Sequence, residues 1–116
     1  MTSPDSKFVN KGDTAASLVL SVSYEDPLET LSINPDSVSF YMWPVGTYET
    51  DKASSMVVDG GSATVNSNTG GIIELQYDFE AGDIDTLGAY WGEFKFDVDG
   101  SGLTAPTIGK VYIVVI

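Results

Sequence analysis

The 116-residue sequence contains no cysteine and no histidine, and its five basic residues are all lysine, so it has no arginine either. Without cysteine there can be no disulfide, thiolate zinc site or cysteine nucleophile. Without histidine the usual general base and the commonest transition-metal ligand are missing. Without arginine no bidentate clamp on phosphate or carboxylate can be built. Bases are scarce overall: seventeen acidic residues stand against five lysines, a net charge of −12. That field repels phosphate backbones and anionic lipid, so neither nucleic acid nor membrane is an expected partner. Long apolar runs are absent too. The longest, Val111–Ile116, is far too short to span a bilayer. The opening Met-Thr-Ser-Pro-Asp-Ser-Lys lacks a basic-then-apolar signature, so no signal peptide is expected.

What is present is a folding composition: 42% hydrophobic residues, with six tyrosines, five phenylalanines and two tryptophans. The negative charge is spread, −5 over residues 1–58 and −7 over 59–116, rather than gathered in a tail. Helical periodicity is hard to find, whereas strand alternation punctuated by Gly, Asn, Asp and Pro recurs along the chain. Residues 1–7 read as a flexible N-terminal segment and 8–116 as one domain. Strands are expected at Phe8–Val9, Ser17–Tyr24, Val38–Trp43, Ile73–Phe79, Tyr90–Val98 and Lys110–Ile116. Asp59-Gly60-Gly61 reads as a tight hairpin between Met56–Val58 and Ala63–Val65, and Asn66–Gly71 as a second polar turn. Asn10–Asp13, Asn34-Pro35-Asp36 and Asp99–Gly102 are further turn signals. Seven to eight short strands in about 110 residues predict an all-β, antiparallel β-sandwich.

The segment Gly82-Asp83-Ile84-Asp85-Thr86-Leu87-Gly88-Ala89-Tyr90 carries the most information. A tyrosine two residues after a glycine, following an acidic corner and entering a strand, resembles the tyrosine corner of immunoglobulin-like sandwiches. Asp83, Asp85, Gly88 and Tyr90 are therefore expected to shape a structural corner, with Tyr90 bonding backbone across it. The position two beyond the tyrosine, a cysteine in antibody-type domains, is Gly92.

Taken with Val38–Met42, Val58-Asp59-Gly60, Gly71–Tyr77, the continuation through Trp91-Gly92-Glu93-Phe94, Asp99-Gly100, Pro106 and Ile113–Val115, the chain resembles the immunoglobulin-like domain of tailed-phage upper baseplate proteins. The resemblance covers residues 8–116 and is carried by turns and core positions. It implies a non-catalytic virion structural subunit, made in the host cytoplasm, whose partners are other virion proteins in a symmetric multicopy assembly. Baseplate members continue into a receptor-binding or coiled-coil region, whereas this sequence stops at Ile116. A small add-on subunit on capsid, tail or baseplate is the resulting expectation.

Two chemical readings compete with structural ones. Asp97, Asp99 and Ser101, followed by Gly102, match the start of a calcium loop, but the twelfth position is Ile108 and no helix flanks it. A hairpin turn explains the same residues, and no cofactor or metal is expected. Asp83, Asp85 and Glu93 supply carboxylates for hydrolysis in principle, but nothing pairs them with a base, and no catalytic residue is assigned.

The aromatics are more telling. If Tyr90, Phe94 and Phe96 point inward, Trp91 points outward; by the same parity Tyr41 and Trp43 point away from Phe40 and Met42. The last strand is apolar on both parities, so one set must face out. One sheet face is thus expected to carry an interface of Tyr41, Trp43, Trp91, Tyr112, Val114 and Ile116. The competing reading tucks Trp43 under the 46–54 loop and covers Trp91 with lysine and loop residues. Two functions follow: a decoration subunit docking on an assembled particle through an apolar sheet face, or a carbohydrate- or receptor-binding module whose tryptophans stack on sugars.

Overall fold

A computed structural model describes residues 6–23, 37–98, 101–105 and 111–116. Among the described residues nine strands form: β1 (Ser6–Val9), β2 (Ser17–Ser23), β3 (Ser39–Pro44), β4 (Val58–Ser62), β5 (Thr64–Thr69), β6 (Ile72–Asp78), β7 (Gly88–Val98), β8 (Ser101–Ala105) and β9 (Val111–Val115). Two short 3-10 turns, Glu49–Asp51 and Ala81–Ile84, also lie among the described residues. A six-stranded sheet has the order β1-β9-β7-β3-β4, with β8 also paired to β7, and a three-stranded sheet has the order β2-β6-β5. Among the described residues the pairings are antiparallel except β1–β9, which is parallel.

This is an immunoglobulin-like β-sandwich, with the strand neighbours of the variable type. Period-2 alternation builds it. Leu18 and Leu20 of β2, Ile73, Leu75 and Tyr77 of β6, and Phe94 and Phe96 of β7 all enter the shared core. At its centre Phe40 stacks on Tyr77 (centroids 4.6 Å apart, 21° between planes) and tilts against Phe94 at 5.1 Å. Gly92 lies under this cluster. A Cβ there would stand 2.9 Å from Phe40 Cζ and 2.8 Å from Ile113 Cδ1, so the Phe40 ring takes the space beside the position where antibody-type domains carry a cysteine.

Several boundaries differ from expectation for identifiable reasons. Ser6 and Lys7 belong to β1, since their backbones pair with Tyr112 and Ile113; residues 1–5 lie outside the described residues. Asp59-Gly60-Gly61 is not a hairpin turn but the interior of β4. Gly60, at φ +78°, is an extra residue opposite the Phe40–Tyr41 step, a β-bulge that needs a glycine. β4 pairs with β3 and β5 with β6, so the chain changes sheets at Ala63. Asn66–Thr69 is an exposed polar edge strand, and the β5–β6 turn is made by Gly70 and Gly71, both at positive φ. Ser101 and Gly102, expected in a turn, pair with Val98 and Asp97 as the start of β8. The expected turns at Asn34-Pro35-Asp36 and Asp99-Gly100 lie outside the described residues, as do Tyr24, Pro106 and Lys110.

Candidate interaction face

The outer face of the six-stranded sheet is assembled by strand register. Tyr112 of β9 is opposite Trp91 of β7, and Trp91 is opposite Trp43 of β3, which puts three aromatics in one row. Trp91 and Tyr112 meet edge-on, with centroids 5.4 Å apart. One row along, Glu93 faces Tyr41, and Lys95 Nζ lies over the Tyr41 ring at 4.8 Å. Trp43 is absent from the inter-sheet core, yet only 5% of it is exposed. It is covered by Lys52, whose ammonium sits 4.1 Å from the ring centroid and 3.4 Å from Glu93 Oε1. Trp43 is therefore on the expected face but is not part of its exposed surface, which corrects the interface expectation. Glu93, outward by parity, is 3% exposed because the loop bearing Lys52 closes over it.

The exposed apolar surface lies one row the other way. Phe8 of β1 pairs with Val114 of β9, Val114 pairs with Ala89 of β7, and Val45 N–H donates to the Ala89 carbonyl at 3.0 Å. Phe8 is 64% exposed, and Val114 is half-buried. Leu87 and Ile116 flank the Gly88–Val115 pair just beyond and are 63% and 61% exposed. Phe8, Val45 and Leu87 were missed by the sequence reading. Phe8 was legible only as a strand residue, and Val45 and Leu87 fall in segments that read as loop and corner.

The opposite outer face is chemically different. On the three-stranded sheet, Ser17 Oγ and Gln76 Nε2 both donate to Asp78 Oδ1 at 2.7 Å, and Asn66 Nδ2 donates to Gln76 Oε1 at 2.8 Å and Glu74 Oε1 at 3.1 Å. The bonds from Gln76 and then Ser17 hold the Asp78 carboxyl below its usual range. This hydrogen-bonded ladder spans β2, β6 and β5, and Val19 and Ile72, 44% and 47% exposed, stand on the same face.

At the corner, Tyr90 Oη donates to the Thr86 carbonyl at 2.8 Å, and Gly88 takes φ +144° to bring the chain into β7. Asp85 is exposed and accepts from Thr86 Oγ1 at 3.0 Å. Asp83 is buried, accepting from Tyr77 Oη at 2.6 Å and from Glu80 N–H at 2.8 Å. Burial first, and then this bond and the nearby carboxylates, raise the Tyr77 hydroxyl well above the tyrosine range; burial and then Asp85 raise Tyr90. Asp83, Asp85 and Glu93 thus have three separate engagements: a buried hydrogen-bonded carboxylate, an exposed turn residue and an ion pair. Asp97 and Ser101 occupy paired strand positions, and Asp97 N–H donates to Ser37 Oγ at 2.8 Å; Asp99 lies outside the described residues. Among the described residues no group of three or more acids is placed to hold a metal ion.

No family model matches the chain, and no curated protein matches it. Among solved structures it is similar to a chain of the ZIG-8–RIG-5 IG1–IG1 heterodimer, at 16% identity and a TM-score of 0.37, covering 98% of this chain and 83% of that one.

Proposed function

We propose that this domain is a non-catalytic docking subunit of a virion, joining an assembled particle through the outer face of its six-stranded sheet. The observation that carries the docking reading is the contrast between the two outer faces. One presents the row Phe8–Val114–Ala89–Val45 with Leu87 and Ile116 beside a shelf of aromatics, and the other a hydrogen-bonded polar ladder in which Val19 and Ile72 are the exposed large apolar side chains. A sandwich that gathers its aromatics and its most exposed aliphatics on one outer face is suited to sitting on a surface. That face carries Lys52 and Lys95 against Asp59, Glu93 and Asp97, so its own charge nearly balances. Placement in a virion, on capsid, tail or baseplate, is supported by the resemblance of the Gly82–Phe94 stretch to phage baseplate domains. A symmetric particle would add avidity to individually weak contacts.

The test is density-gradient sedimentation of the native source. The chain is expected to travel with assembled particles, and Phe8→Asp or Leu87→Asp is expected to leave it at the top of the gradient with an unchanged Tm. A wild-type chain found only in the soluble fraction would sink the virion reading. Retention of that soluble chain on immobilised glycan would favour the carbohydrate-binding alternative.

A further inference from the structure

We propose that the Trp43 ring face and the Glu93 carboxylate form a binding site for a primary ammonium, filled in the isolated chain by Lys52 and yielded on docking to a lysine of the partner protein. The second half of this statement rests on the docking reading; the first does not.

The site has the two elements that recognise an ammonium. A π face lies 4.1 Å below the nitrogen, and a carboxylate oxygen lies 3.4 Å to its side. Its walls are fixed by the sheet, since Trp43 pairs with Trp91 and Glu93 with Tyr41 in adjacent strands. Both walls are shielded from water, and a shielded carboxylate is costly to leave without a cation. The occupant is held differently. Lys52 comes from the middle of the β3–β4 connection, which is tied to the sheet at its ends by Val45 N–H to the Ala89 carbonyl and Val57 N–H to the Met42 carbonyl, while the bonds around Lys52 close locally: Asp51 N–H to the Tyr48 carbonyl, Lys52 N–H to the Glu49 carbonyl, and Ser55 N–H to the Lys52 carbonyl. No residue of its 3-10 turn, Glu49–Asp51, is buried. The side chain can therefore swing out without opening the sheet.

Charge argues for a lysine as the replacement. A chain with seventeen acids and five lysines favours a basic partner. Exchange of one ammonium for another leaves Glu93 compensated throughout. It also frees the loop that screens Trp43, so that the aromatic row joins the apolar row already exposed.

The direct test is chemical rescue. Lys52→Ala retains Cβ, so n-propylammonium supplies the missing part of the side chain. Titrated into Lys52→Ala at constant ionic strength, it is expected to shift tryptophan emission saturably and to raise Tm. The wild type, whose site is full, and Lys52→Ala/Glu93→Gln, whose carboxylate is gone, should not respond. An equal response in all three proteins, or no saturable response in folded Lys52→Ala, would overturn the site. If Lys52→Ala does not fold, refolding is the readout: recovery in n-propylammonium but not in sodium chloride supports the site, and no recovery overturns it.

Exchange is tested on particles. Lys52→Ala should sediment with them at least as well as wild type, while Glu93→Gln should bind at least tenfold more weakly. Equal losses in the two variants would make Lys52 a permanent structural group and overturn exchange. A wild-type chain that never sediments defeats the docking reading and the exchange with it, whereas the ammonium site stands or falls on the rescue assay.

Discussion

Gly92 shows how closely single residues are held in this core. Its backbone is unstrained, but a methyl group there would meet both Phe40 and Ile113 at under 3 Å. Gly92→Ala is expected to cost about 1–3 kcal/mol by overpacking, read as a lower urea midpoint at constant m-value. Gly82, where a Cβ meets nothing within 4 Å, is the control, and Gly82→Ala should stay within about 1 kcal/mol of wild type. Tyr77 supplies a pH signature. Its hydroxyl is raised above the reference value of 10.0, so the folded state holds a proton that the unfolded chain releases. Its contribution is therefore complete below about pH 10 and declines as pH rises beyond that. Urea midpoints should fall above pH 10, and Tyr77→Phe should flatten this slope. Tyr90, shifted in the same direction, should leave a residual slope.

Among the elements, β4 explains what the sequence disclosed and what it hid. The alternation in β6 and β7 was legible because period 2 needs only the residues of the strand itself. The path through Asp59-Gly60-Gly61 was not, because a tight turn and a glycine bulge draw on the same residues. What decides between them lies in another strand. A Cβ on Gly61 would stand 2.6 Å from Tyr77 Cε1 and 2.8 Å from Val58 Cγ1, so β4 can lie over β6 only if that position is bare. Gly61→Ala is accordingly expected to destabilise the fold by about 1–3 kcal/mol, with β4 amides losing hydrogen-exchange protection first. The candidate site was half legible for the same reason. Outward parity placed Trp43 and Trp91 side by side, but the covering of Trp43 depends on Lys52, and the burial of Glu93 on a loop that carries no strand pattern.

For the whole molecule, the decisive quantities are net charge and the contrast between faces. At neutral pH the charge of −12 opposes self-association through the apolar row. Near the sequence pI of about 4.1 that opposition vanishes. Light scattering should then show association of the wild type, and Phe8→Ser with Leu87→Ser should suppress it without adding charge. β1 and β9 carry a further consequence, a mechanical one. They run parallel, with Ser6 beside Tyr112 and Val9 beside Val115. Traction applied at residues 6 and 115 therefore pulls on opposite ends of a strand pair. Such a load slides one strand along the other, and the ladder bonds must yield together rather than one at a time. Pulled along this axis, the domain should unfold at a higher force than when pulled across the β5–β6 hairpin, where the bonds open in sequence. A single-molecule comparison of the two directions reads this directly: the strand pair at the edge of the larger sheet is also able to transmit tension through it.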